Sequence, residues 1–401
     1  MTRPVTGHED SRGLSDDAPR VPGPIADALR RAGGRVTFAD FMELALTHPQ
    51  AGYYALRESV IGSEGDFTTA PRAARAFNRA MARLVGQLAD VAEGRRVMLI
   101  EVGAGEGDLM AGILQQWSVE RADLRDRVSI RTVDVSPRMR EHQGHALAPW
   151  AAAGWDVGVV EDMAATRLHE GPEPVAVVVS NELVDALPVH LVDVTADRPR
   201  EAWVRLSGPD QASLREEWAD LSPEAEREMR LLFDSIEAPA VRPFCREGLI
   251  ELRPAAGRTL RSWASMWPDL CVVTIDYGDR LAGPGAGAAA GARLHGRTLR
   301  GYYRHRVTDD PYQAVGRQDL TADVDFRALD RHGAAVGLEC VVYTTLATFL
   351  KGMGAIDEAE RLLETAHESL EVDQEVTALA KLLDEGGLGG EFKVMVQVGE
   401  A

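Results

Sequence analysis

An α/β fold built on a mostly parallel sheet, with helices on both faces, is what this 401-residue sequence predicts. Three observations carry that expectation. Apolar runs rich in Val and Ile recur from Arg96 onward, and helix-compatible segments separate most of them. The runs number about seven: VMLIEV (97–102), VSIRTVDV (128–135), DVGVVED (156–162), PVAVVVSNE (174–182), LCVVTIDYG (270–278), LECVVYTTL (338–346) and EFKVMVQV (391–398). The first of them ends on a glycine-rich turn, IEVGAGEGDLM (100–110), that leads into a helix-like stretch.

The remaining elements follow in chain order. Residues 1–22 are polar and read as a disordered tail. Residues 23–95 form a helical N-terminal segment. PIADALRRAGG is a short helix stopped by Gly33 and Gly34, and TFADFMELALTH is a second, with Thr37 as its cap and Asp40 at the third helical position. IGSEGDFTTAP (61–71) reads as loop and RAFNRAMARLVGQLADVA (75–92) as helix. The first part of the core spans 96–200. A charged insertion, 201–245, is helical around SPEAEREMRLLFDSIEA; the core resumes over 246–280. Residues 281–336 are a substrate-side loop and insertion that begins with the low-complexity LAGPGAGAAAGARLHG, and 337–401 supply the last strands and a helix.

Bulk properties exclude several function classes. A net charge of −19 argues against nucleic acid as a partner, because phosphate binding needs clustered Lys and Arg. Cys245, Cys271 and Cys340 are odd in number and scattered, which suggests neither a disulfide framework nor a zinc site. No apolar run is long enough to cross a bilayer, and the polar N-terminus lacks a signal-peptide core. A cytoplasmic protein without membrane contact is expected, and a homodimer stays open.

The glycine turn narrows the ligand. A dinucleotide turn wants glycine three residues after Gly105, where this chain has Asp108. Instead Glu101 precedes Gly103, Gly105 and Gly107, with Ala104 between the first two. That acid-x-G-x-G-x-G form is the one found in class I methyltransferases, so the fold expected is their Rossmann-like one, with a seven-stranded, mostly parallel sheet. The cofactor is then S-adenosylmethionine and the product S-adenosylhomocysteine. Glu101 is placed for the methionine ammonium. Asp134, ending the second strand before Val135, is placed for the ribose hydroxyls. Asp162 and Met163 make an adenine pair, the acid accepting from the exocyclic amine and the apolar neighbour covering the ring. The fourth strand runs into Asn181, Glu182 and Asp185, the strand end that faces the transferable methyl. Three histidines enter the argument, His190, His295 and His305; His305 in YYRHR is the one kept as a catalytic candidate.

An ordered set of motifs from Thr37 to Val398 resembles the MidA-like methyltransferases, whose mitochondrial members are respiratory complex I assembly factors that methylate arginine on a partner subunit. FMELALTHPQAGYY, GSEGDFTTAP, EVGAGEGDLM, NELVDALPVHLV, TIDYG, YYRHRVTDDPY, DLTADVDFRAL and EFKVMV are similar to family segments in family order. The resemblance implies that Glu101, Gly103, Gly105 and Gly107 hold S-adenosylmethionine, with Asp134 on the ribose. It implies that Gly65, Asp66, Phe67 and Thr68 form a loop over the cofactor, and that Tyr53 and Tyr54 sit near it as substrate-binding residues, with Arg72. Asn181, Glu182 and Asp185 then shape the acceptor site.

The chain also departs from the family. Arg72, Ala73 and Ala74 stand where the family has Glu-Ile-Ser, and Phe77, Asn78, Arg79 where it has Phe-Gly-Glu; Leu346 replaces a glutamine after Thr345. Arg72 reverses a charge near the site. A transferase acting on arginine in a protein or peptide is expected first. The alternatives are a small-molecule O- or N-methyltransferase, which the Arg72 change favours, and a non-catalytic assembly factor working by protein contact.

Overall fold

In the computed structural model the described residues are 21–56, 75–92, 94–167, 173–208, 213–284, 293–304, 306–365 and 370–399. All seven expected strands are present, as β1 Val97–Val102, β2 Val128–Val133, β3 Asp156–Val160, β4 Val175–Asn181, β5 Leu270–Asp279, β6 Leu338–Thr345 and β7 Phe392–Gly399. They make one sheet in the order β6-β7-β5-β4-β1-β2-β3. β7 runs antiparallel to both of its neighbours, and the other pairings are parallel. Strand order reverses between β1 and β4, so a crevice opens at their carboxyl ends, where ligands bind in such sheets.

The continuous apolar runs are explained by burial on both faces. Leu99, Val177 and Val273 face one core with Phe77, Ile113 and Trp117. Their immediate neighbours Ile100, Val178 and Val272 face the opposite core with Trp263, Trp267 and Phe326. Side chains alternate along a strand, so the interior strands β1, β4 and β5 are mostly apolar on both faces, while the edge strands β3 and β6 carry exposed polar residues such as Asp156 and Glu339.

The N-terminal helix Phe38–Thr47 starts as expected. Thr37 Oγ1 accepts the Asp40 N–H at 3.1 Å and Asp40 answers on the Thr37 N–H, a capping box. Its apolar face, with Phe38, Phe41 and Met42, belongs to a further core that includes Val189, Leu191, Val204 and Leu320.

Three expectations need correction. Residues 23–95 are not wholly helical, since Arg35–Thr37 is a strand paired antiparallel with Arg200–Ser207. The 201–245 insertion opens as a hairpin, Arg200–Ser207 on Ser213–Ala219, before the expected helix Pro223–Phe233. Ala202, Val204 and Leu206 are buried at a spacing of two, a strand period that the intervening charged residues obscure. Val21, assigned to the tail, is buried in the N-terminal core. Strands His190–Asp193 and Leu249–Leu252 complete this second sheet. A third sheet joins Arg300–Tyr303, Arg306–Thr308 and Asp319–Thr321.

Candidate active site

The glycine turn follows β1 directly. Gly103, Gly105 and Gly107 have φ of +70°, +52° and +89°, a region that side-chain-bearing residues adopt at a cost. A Cβ on Gly103 would lie 2.8 Å from Leu183 Cδ1, in the loop after β4. Gln143, from helix Pro137–Ala152, ties the turn to the second strand end. Its Nε2 donates to the Gly105 carbonyl at 2.8 Å and to Asp134 Oδ2 at 3.4 Å. Asp134 Oδ1 accepts the Ser136 N–H at 2.9 Å. Burial raises the Asp134 carboxyl, against the backbone N–H groups of Ser136 and Gly105.

Glu101 is 4% exposed, and its Oε2 is buried without a hydrogen-bond partner. Burial first, then the charges of Asp108 and Asp134, push its carboxyl up to about 8. Three acids around one small space favour a cation there.

The expected adenine pair follows β3 closely. Asp162 is exposed, and its Oδ1 accepts the Ala165 N–H at 3.0 Å, capping the turn Ala164–Arg167. Met163 is buried in the core with Ile100 and Val133. The exposed apolar side chain at these strand ends is Val135, at 66%.

Beyond β4 the chain turns sharply. Glu182 has φ +51°, and its N–H donates to the Ile275 carbonyl at 2.9 Å. Asn181 Nδ2 donates to Glu182 Oε1 at 3.2 Å, while Asn181 Oδ1 is buried without a partner. Asp276, fully buried in β5, holds the turn. Its Oδ2 accepts the N–H groups of Val184 at 3.0 Å and Asp185 at 3.2 Å, and its Oδ1 accepts that of Tyr277 at 3.0 Å. The Tyr277 hydroxyl donates to Asp185 Oδ2 at 2.5 Å. Burial raises the carboxyls of Asp185 and Asp276. Arg253 donates to the carbonyls of Asp185 at 3.3 Å and Ala322 at 2.7 Å, joining this turn to the segment after Asp319–Thr321.

A cavity of about 380 Å³ opens over Glu182, Asp185 and Tyr277. Asp319, Asp323 and Glu391 add carboxylates, and Tyr54 and Tyr302 add aromatic walls. Arg293 and Arg300 also line it, and both pair with the same carboxylate, Asp323. Five carboxyls, those of Glu182, Asp185, Asp319, Asp323 and Glu391, line the cavity against these two guanidinium groups, so acids stay in excess.

The S-adenosyl-L-methionine-dependent methyltransferase family model matches residues 80–344. The chain belongs to this family. A chain from Burkholderia thailandensis, solved with bound S-adenosyl-homocysteine, is 30% identical, covers 94% of each chain and superposes with a TM-score of 0.73. The mouse mitochondrial protein arginine methyltransferase NDUFAF7 is 28% identical over 90% of this chain and 80% of its own length. The Drosophila melanogaster homologue is 27% identical over 93% and 84%. The chain is thus a methyltransferase that uses S-adenosylmethionine, and the orphaned Glu101 oxygen and the glycine turn fit that cofactor. Among the described residues no helix is long and apolar enough to cross a membrane.

Other expected site residues fall differently. Ala104 is buried in the turn and Tyr53 in the N-terminal core, edge-on to Tyr54 with ring centroids 5.1 Å apart. Gly65, Asp66, Phe67, Thr68, Arg72 and His305 lie outside the described residues. His190 is buried against Glu201 at 2.6 Å, and His295 is buried with Nε2 3.0 Å from the Ala282 carbonyl; neither lines the acidic cavity. Asp276, Tyr277, Arg253 and Asp319 were not singled out from sequence. An acid inside the apolar run LCVVTIDYG was a usable signal for Asp276, because a buried carboxylate needs partners.

Proposed function

We propose that the chain methylates a guanidinium nitrogen of arginine in a protein or peptide. The observation that carries this reading is the acidic, tyrosine-walled cavity beside the β4 end, with its two arginines already paired. A planar cation is what such a pocket suits: carboxylates accept its forked N–H groups and ring faces cover its plane.

S-adenosylmethionine supplies a methyl group made electrophilic by the sulfonium. Glu101 takes the cofactor's ammonium, Asp134 its ribose hydroxyls, and the three glycines let the backbone approach. Glu182 and Asp185 orient the guanidinium, and Asn181 positions it as a neutral acceptor. The acceptor nitrogen loses a proton as it gains the methyl. Asp185, its carboxyl raised by burial, takes that proton, and the Tyr277 hydroxyl keeps it aimed. The relatives in mouse and Drosophila melanogaster, named as protein arginine methyltransferases, support arginine as acceptor. Three free cysteines suit the cytoplasm as the location.

The test is mass spectrometry after incubation with labelled S-adenosylmethionine and two acceptor pools from the source cell, proteins with peptides and small molecules. Label on arginine is expected. Label confined to the small-molecule pool would overturn the arginine reading.

A further inference from the structure

Tyr54 lines two cavities. One is the acidic cavity over Asp185; the other, of about 820 Å³, runs past Val135, Ser136 and His142. Tyr54 is therefore a wall shared between the side where Val135 and Ser136 follow β2 and the side where Asp185 lies. The ring is well fixed. Tyr53 is fully buried behind it, and a Cβ on Gly316 would fall 2.0 Å from the Ala51 carbonyl oxygen, so the turn before Tyr54 is tightly clasped.

The Tyr54 hydroxyl donates to Asp319 Oδ1 at 3.0 Å. Asp319 is buried and begins the strand Asp319–Thr321, paired opposite Tyr302. The same segment continues to Ala322, whose N–H donates to the Asp185 carbonyl at 3.1 Å. One stretch of chain thus sets both Tyr54 and Asp185. Burial and the charges of Asp319 and Asp185 keep the phenol protonated. With its proton given to Asp319, the phenol oxygen keeps lone pairs that accept.

We propose that Tyr54 is an acceptor-binding residue that takes an N–H of the methyl acceptor on its phenol oxygen, and that Asp319 is the positioning residue that aims it. This rests on the methyltransferase assignment and deepens the arginine reading of the same cavity.

The test compares Tyr54→Phe, Asp319→Ala, Asp319→Asn and the double variant Tyr54→Phe with Asp319→Ala, using whichever acceptor the parent labels. Tyr54→Phe keeps the wall and removes only the oxygen. It should lower kcat by about tenfold and leave S-adenosylhomocysteine affinity within about twofold. Asp319→Ala should match it, the double variant should be no worse, and Asp319→Asn, which keeps an acceptor oxygen, should recover most of the rate. Thermal melts check folding; if Asp319→Ala does not fold, Tyr54→Phe and Asp319→Asn carry the test. Tyr54→Phe within about twofold of the parent in kcat and KM would overturn the proposal, and additive losses in the double variant would overturn the role of Asp319. If the parent labels only a metabolite, the arginine reading falls while the Tyr54 test proceeds on that metabolite. No labelled acceptor at all would sink both.

Discussion

The glycine turn after β1 and the acidic cavity beside the β4 end are built in different ways. Glu101, Gly103, Gly105 and Gly107 lie within seven residues of one strand-turn-helix, and Asp134 directly follows the adjacent strand. The acidic cavity draws Tyr54, Asp185, Tyr277, Asp319 and Glu391 from the whole length of the chain. The first is set by backbone conformation, the second by buried carboxylates and their partners. A local site survives change elsewhere; a dispersed one depends on every segment that reaches it.

The largest expected effect breaks the local side. Gly105→Val forces a side chain onto a φ of +52° and should weaken S-adenosylhomocysteine binding by more than about 100-fold by calorimetry, with the fold retained. Unchanged binding would remove the turn from the cofactor site. On the dispersed side, Asp185→Asn should lower kcat by about 100-fold while cofactor affinity stays within about threefold. A loss of affinity instead would move Asp185 to the cofactor side.

Asp276→Ala leaves three backbone N–H groups without their carboxylate and should cost about 3 kcal/mol of stability in denaturant melts. A cost under about 1 kcal/mol would show that the turn is held by other contacts.

Glu101 gives a pH signature. Its folded carboxyl, near 8, lies above its ordinary 4.5, so the ligand-free fold binds the proton more tightly than the unfolded chain. That stability is full below about 4.5 and lost as pH rises through about 8. A cationic ligand favours the ionised form, so S-adenosylhomocysteine affinity should rise with pH and level off above about 8. Glu101→Gln should flatten the profile; an unaltered profile would assign the pH dependence elsewhere. The smallest effect is expected at Asp162, where alanine should cost the capped turn under about 1 kcal/mol.

The interior strands β1, β4 and β5 were legible because burial on both faces keeps them mostly apolar, and the capping box because Thr37 and Asp40 are close in sequence. The hairpin Arg200–Ser207 with Ser213–Ala219 was not, because its solvent-facing charges mask a period of two. Asp162 also caps the turn Ala164–Arg167 and Met163 also fills the core, contacts that the sequence alone did not indicate.

By itself the sequence determined what depends on short-range rules: strand period, glycine conformations, and an acid just ahead of the first glycine of the turn. Tertiary structure alone decided the lining of the acidic cavity. Whether Asp319 meets Tyr54, 265 residues away, depends on how three sheets pack, and no local pattern encodes that distance.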